Sequence, residues 1–70
     1  MNDKNGFIIT TRDEVFKAWD KSTELVRDFQ SYAKDIKDNK EVADLFADYA
    51  KVEAQHSARF LEILEEYDKK

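Results

Sequence analysis

Apolar residues recur every three or four positions along two long segments of the chain, which is the spacing typical of an amphipathic α-helix. The second of these segments runs from Glu41 to Tyr67. Because successive helical residues are rotated by about 100°, its apolar side chains share one broad stripe. The members of this stripe are Val42, Leu45, Phe46, Tyr49, Val52, Phe60, Ile63, Leu64 and Tyr67. The pattern predicts a second helix over about residues 40–67.

The first segment carries a stripe of the same period. Thr11 to Glu14 matches a capping box, in which a threonine side chain accepts a hydrogen bond from a main-chain amide and a glutamate side chain accepts one in return. We therefore expect a first helix over about residues 12–37, preceded by a flexible N-terminal segment, residues 1–10. Residues 11–70 would form the helical part of the chain. The stripe of the first helix consists of Val15, Ala18, Trp19, Ser22, Leu25, Val26, Phe29, Tyr32, Ala33 and Ile36.

Polar residues from Lys37 to Lys40 separate the two stripes, and Asp38 or Asn39 is suited to cap the second helix. A connection this short makes the two helices antiparallel neighbours. The fold class is therefore all-α, an antiparallel two-helix hairpin. Both stripes are wider than the seam of a two-stranded coiled coil. We expect two hairpins, or more, to associate into a four-helix bundle, so that the chain is a homo-oligomer and at least a dimer.

Composition narrows the ways in which so short a chain can be stabilised. Domains of fewer than about 70–80 residues usually depend on disulfides, a metal ion or oligomerisation. The chain has 70 residues and no cysteine, which excludes disulfides, iron–sulfur clusters and cysteine-ligated zinc. A metal ion, an oligomer or both remain.

Charge and hydropathy argue against two kinds of partner. The net charge of −4 disfavours nucleic acid and anionic membrane surfaces. No apolar run approaches the roughly 18 residues that a membrane span requires. The first residues also lack the apolar core of a signal peptide. These features lead us to expect a cytoplasmic protein, and they identify no other protein partner.

The sequence Glu53-Ala-Gln-His56 interrupts the second stripe with polar side chains. Residues three apart lie one turn apart on the same helix face, so a carboxylate and the single histidine of the chain point at the surface that the helix would bury. Burying an unpaired charge costs several kcal/mol. A metal ion could compensate for this cost. Alternatively, Glu53 and His56 form a buried polar pair that sets the register of an oligomer interface, with His56 donating to Glu53.

Residues 38–65 resemble the second helix of rubrerythrin-type ferritin-like domains. The resemblance rests on Glu41 to Phe46 near the helix start, on Ala50, on the Glu53-x-x-His56 pair and on the apolar continuation to Leu64. The chain also looks like the short two-helix encapsulated ferritins, which build their bundle from two chains. The resemblance implies iron at a carboxylate-bridged di-iron site, to which a two-fold dimer would contribute two sets of ligands. Manganese and zinc also suit carboxylate and imidazole ligands.

The first helix has no glutamate at the position that the resemblance implies. Ser22 lies at the centre of the stripe, where the resemblance implies a glutamate. Glu24 has the right height but points away by more than about 100°. Glu24 could reach a metal at a different subunit interface, the first helix could be rotated, or the ligand could be absent. In the last case a symmetric pair of Glu53 and His56 could hold one metal ion with four ligands. The candidate metal ligands are therefore Glu53, His56 and Glu24.

Two functions of different classes follow from these residues. The first is a small ferritin-like metal-binding protein that holds iron at an oligomer interface and oxidises iron, stores iron or reduces peroxide. The sequence does not determine whether such a protein is an enzyme or on which substrate it acts. The second is a metal-free helical module for oligomerisation or as an adaptor.

Overall fold

The computed structural model describes residues 9–69 and consists of two helices in this range. Helix α1 spans Thr11–Asp35, and helix α2 spans Lys40–Asp68. The start of α1 contacts the end of α2 through Arg12 and Asp68, so the helices are antiparallel. No strand occurs in the described range. The prediction of an all-α hairpin is confirmed, while most of the predicted N-terminal segment, residues 1–8, lies outside the described residues.

The capping box of α1 begins one residue earlier than the sequence pattern suggested. Thr10 is the N-cap: its hydroxyl accepts a hydrogen bond from the main-chain amide of Asp13 (3.1 Å), and the Asp13 carboxylate accepts one from the amide of Thr10 (3.3 Å). The expected box of Thr11 and Glu14 is therefore wrong by one residue. Two adjacent threonines and two adjacent acids allow both registers, and in the observed one both acids fall in the first turn, where the helix dipole favours them.

The connection between the helices starts two residues before its predicted position. Ile36 leaves the helical region with φ −77° and ψ 112°, so α1 ends at Asp35 rather than near residue 37. Asn39 caps α2 by accepting a hydrogen bond from the amide of Val42 at 3.1 Å. Of the two candidate caps, the structure therefore uses Asn39. The short loop holds the helices side by side along their length.

The hairpin is a single layer of helices. Its extents are 51 × 28 × 12 Å, and the smallest of these is the diameter of one α-helix with its side chains. Among the described residues, the contact between the helices buries Ser22 completely and leaves Ala50 and Leu64 only 4 % and 5 % exposed. The other members of the two apolar stripes are half-buried or exposed. None of the helices in residues 9–69 is long and apolar enough to cross a membrane.

One side of this layer carries large apolar side chains at the surface, and we call it the open face. Its members are at least 39 % exposed, and they recur at helical steps along both helices: Leu25, Tyr32, Leu45, Tyr49 and Val52. Near the loop, the rings of Phe29 and Phe46 lie 5.8 Å apart, and Tyr49 and Tyr32 extend the same aromatic cluster outward. The open face is thus a continuation of the core and not a scatter of single residues.

The Phe29→Ala substitution should lower the free energy of unfolding by about 3 kcal/mol, the lower end of the range for emptying an aromatic core site, because the Phe29 ring is half-buried. Urea unfolding followed by circular dichroism measures this change. Phe16→Ala is the control, since that ring is 46 % exposed and should matter less. A loss below about 1 kcal/mol at Phe29 would contradict the observed packing.

A bidentate ion pair closes the open end of the hairpin. Arg12 Nε and Nη2 donate to the two carboxylate oxygens of Asp68 at 3.0 and 3.2 Å. This hydrogen bonding lowers the pKa of Asp68 and, with the charge of Asp68, raises the pKa of Arg12. Both side chains remain exposed, at 42 % and 59 %, so solvent screens the pair.

Replacing Asp68 by Asn should lower the melting temperature by a small amount at neutral pH. Because the pKa of Asp68 is lower in the folded state, its contribution is complete above the pKa of an unfolded carboxyl group and is lost as the pH falls through the lowered value. The difference between wild type and Asp68→Asn should therefore vanish in acid, whereas Asp28→Asn, at another exposed carboxylate, should show no such difference. A pH-independent difference would contradict this assignment.

Candidate metal centre

Glu53 lies at the middle of the contact between the two helices. Its side chain is only 18 % exposed, and Ser22 of α1, opposite it, is completely buried. The Ser22 hydroxyl donates to Glu53 Oε2 at 2.5 Å and lies 3.3 Å from the main-chain oxygen of Glu53. A small side chain on α1 thus lets the helices approach and supplies a hydrogen bond to the carboxylate. The position of Ser22 at the contact agrees with the centre of the predicted stripe.

His56 follows one turn later on α2, at the rim of the contact. Its Nδ1 atom lies 3.3 Å from Glu53 Oε1, while 57 % of its side chain is exposed. Two adjacent ligands of one metal ion, each about 2.1 Å from it, are separated by roughly 3.0–3.5 Å. The Nδ1 to Oε1 distance therefore fits a shared metal ion as well as a hydrogen bond. His56 also follows Val52 by one turn, which places the imidazole on the open face.

Glu24 is not brought to this pair within one chain. It is exposed, and it follows Ser22 by two residues, which rotates it about 200° around α1 from the contact. In residues 9–69, no group of three or more histidine and carboxylate side chains converges on one point. One hairpin therefore offers two of the three candidate ligands together, Glu53 and His56, and does not fit a carboxylate-bridged pair of metal ions by itself.

Further polar residues, which the sequence pattern did not reveal, lie beside Glu53. The Thr23 hydroxyl donates to the main-chain oxygen of Trp19 at 2.8 Å and lies 3.1 Å from the hydroxyl of Ser57. Ser57 follows Glu53 by four residues, so the two share a helix face, and this spacing was the available signal. With Ser22, which alone among them contacts the Glu53 carboxylate, these side chains form a polar layer across the hairpin.

A concavity of about 460 Å³ lies on the side opposite the open face. Its lining consists of Gln30, Ala33, Lys34, Ala47, Ala50, Lys51 and Ala54. Neither Glu53 nor His56 belongs to it. The two candidate metal ligands therefore lie outside this groove.

A helical hairpin that directs a Glu-x-x-His pair to one face has the architecture of half a ferritin-like four-helix bundle. The sequence model of the Rubrerythrin family matches residues 23–70, about two thirds of the chain. The chain therefore belongs to the Rubrerythrin family, one of the ferritin-like families, and the resemblance predicted from the sequence is confirmed. Comparison with curated proteins gave no match, and neither did comparison with solved structures.

The Ser22→Ala substitution should lower the free energy of unfolding by about 1–3 kcal/mol, because it leaves a largely buried carboxylate without its donor. Chemical unfolding of the metal-free protein measures the change. The matched control is Ser31→Ala, which makes the same replacement at an exposed position of α1 and should be neutral or slightly stabilising. Equal stabilities of the two variants would show that the hydrogen bond from Ser22 contributes nothing.

Proposed function

We propose that the protein binds iron between two copies of the chain, with Glu53 and His56 of each copy as ligands. The observation that carries this proposal is the 3.3 Å separation of Glu53 Oε1 and His56 Nδ1, the spacing of neighbouring ligands on one ion. Membership in the Rubrerythrin family supports iron as the metal. Carboxylate and imidazole ligands also accept manganese and zinc.

The open face supports a second copy of the chain as the partner. Leu25, Tyr32, Tyr49 and Val52 leave a contiguous apolar surface exposed on a hairpin only 12 Å thick. His56 lies on the same surface. In a two-fold dimer one patch meets its own copy, so pairing through the open faces brings two Glu-x-x-His sets into one interface. His56 is exposed in the single chain, and the second copy would cover it in the dimer.

Bound iron would supply the redox chemistry of iron oxidation, iron storage or peroxide reduction. The residues of the chain have three tasks in such a site. Glu53 and His56 bind the ion, Ser22 holds the Glu53 carboxylate in its orientation, and the surrounding apolar side chains exclude bulk water. Exclusion of water strengthens the attraction between the carboxylates and the cation.

One observation favours a metal-free oligomerisation or adaptor module as the second candidate. The Glu53 carboxylate already accepts a hydrogen bond from Ser22 and lies within hydrogen-bonding distance of His56. The pair is therefore satisfied without a metal ion. In this case Glu53 and His56 would fix the register of the interface.

Metal loading separates the two candidates. Metal-depleted protein is incubated with ferrous iron without oxygen, excess iron is removed, and the bound metal and the melting temperature are measured. The wild type should retain iron and melt at a higher temperature, because a ligand that binds only the folded state stabilises it. His56→Ala should lose both effects, whereas Gln55→Ala, at an exposed neighbouring position, should keep them.

The Glu24→Gln variant tests the remaining candidate ligand. Because Glu24 points away from the helix contact, we expect the Glu24→Gln variant to bind as much iron as the wild type. Loss of iron equal to that of His56→Ala would place Glu24 among the ligands. If wild type retains no iron, manganese or zinc, and His56→Leu is at least as stable as wild type, the adaptor candidate replaces the metal site.

A further inference from the structure

We infer that the interface between two copies of the chain holds one divalent metal ion, and that Ser22 limits the site to this single ion. This inference rests on the proposed function. The inference concerns the α1 side of the site, where a hydroxyl stands opposite Glu53. It departs from the carboxylate-bridged pair of ions that the sequence resemblance implies.

The balance of charge between ligands and metal favours a single ion. A bundle that holds two divalent ions takes a glutamate from each of two helices and a Glu-x-x-His pair from each of the other two, which gives four carboxylates against four positive charges. Two copies of this hairpin contribute Glu53 and His56 twice. Histidine binds a metal as the neutral imidazole. The two carboxylates therefore neutralise one divalent ion, and a second ion would leave two positive charges unbalanced in a partly dry interface.

The hydrogen bonding of the Glu53 carboxylate also favours a single ion. Its Oε2 atom accepts the hydrogen bond from the fully buried Ser22, and its Oε1 atom faces His56. A carboxylate that bridges two ions with one oxygen atom on each needs both oxygen atoms for metal. The hydroxyl of Ser22 donates to Oε2 and competes with a second ion for that atom, so Oε1 and His56 Nδ1 of each copy are the atoms best placed to bind metal.

Within one hairpin, no carboxylate of the described residues replaces the missing one. The acidic residues of α1 nearest in height to Glu53 are Asp20, Glu24 and Asp28, and all three are exposed. In residues 9–69, no third acidic or histidine side chain joins Glu53 and His56. Two glutamates and two histidines form a set of four ligands, which suffices for a single ion.

Native mass spectrometry of the metal-depleted dimer, titrated with manganese(II) or with iron(II) in the absence of oxygen, counts the ions directly. The wild type should saturate at one ion per dimer. Saturation at two ions would overturn this inference while leaving the proposed iron binding intact. Absence of any bound ion would overturn both, because the proposed site would then not exist.

A pair of matched variants tests the role of Ser22. Ser22→Asp places a carboxylate opposite Glu53, and saturation should rise toward two ions per dimer. Ser31→Asp makes the same change of charge at an exposed position of α1 and should remain at one. A folded Ser22→Asp dimer that still takes one ion would overturn the assignment of Ser22 as the limiting residue. If Ser22→Asp does not fold, as judged by circular dichroism, the wild-type ion count decides between one ion and two.

Discussion

Two helices packed side by side can bury only the narrow strip along which they touch, and the remaining features of this hairpin depend on that limit. Both helices carry apolar stripes much wider than their contact. Among the described residues, this contact buries Ser22, Ala50 and Leu64. Apolar surface left in water costs about 25 cal/mol per Å². The open face, with Tyr32, Tyr49 and other large apolar side chains, is therefore the surface through which we propose that a second copy binds.

The position of the Glu53 carboxylate connects this packing limit to the proposed chemistry. A buried carboxylate needs donors or a cation, and the contact provides Ser22 on one side and His56 on the other. The donor from α1 is a neutral hydroxyl, so the hairpin keeps Glu53 in place without adding a second negative charge. The Glu-x-x-His pair lies within the residues that the Rubrerythrin family model matches. In the proposed site, Ser22 takes the place of the first-helix glutamate of a dinuclear design.

The sequence was sufficient for the features that depend on periodicity, and insufficient for those that depend on exact register. The two stripes and the polar connection predicted an antiparallel hairpin, and Ser22 at a stripe centre does lie at the helix contact. The N-cap was misplaced by one residue because Thr10 and Thr11 both fit the motif. The contact of Thr23 with Ser57 was not predicted, since it depends on the angle at which the helices meet. No pattern in one chain reveals which ligands a second chain would add.

The mass of the metal-depleted protein in solution tests the pairing of open faces most directly. Sedimentation equilibrium at micromolar concentration should give at least twice the chain mass of 8.3 kDa, and the melting temperature should rise with protein concentration, because a folded oligomer gains stability by mass action. A stably folded monomer of 8.3 kDa, with a melting temperature independent of concentration, would contradict the account. In that case the single layer of helices would be stable with its open face in water.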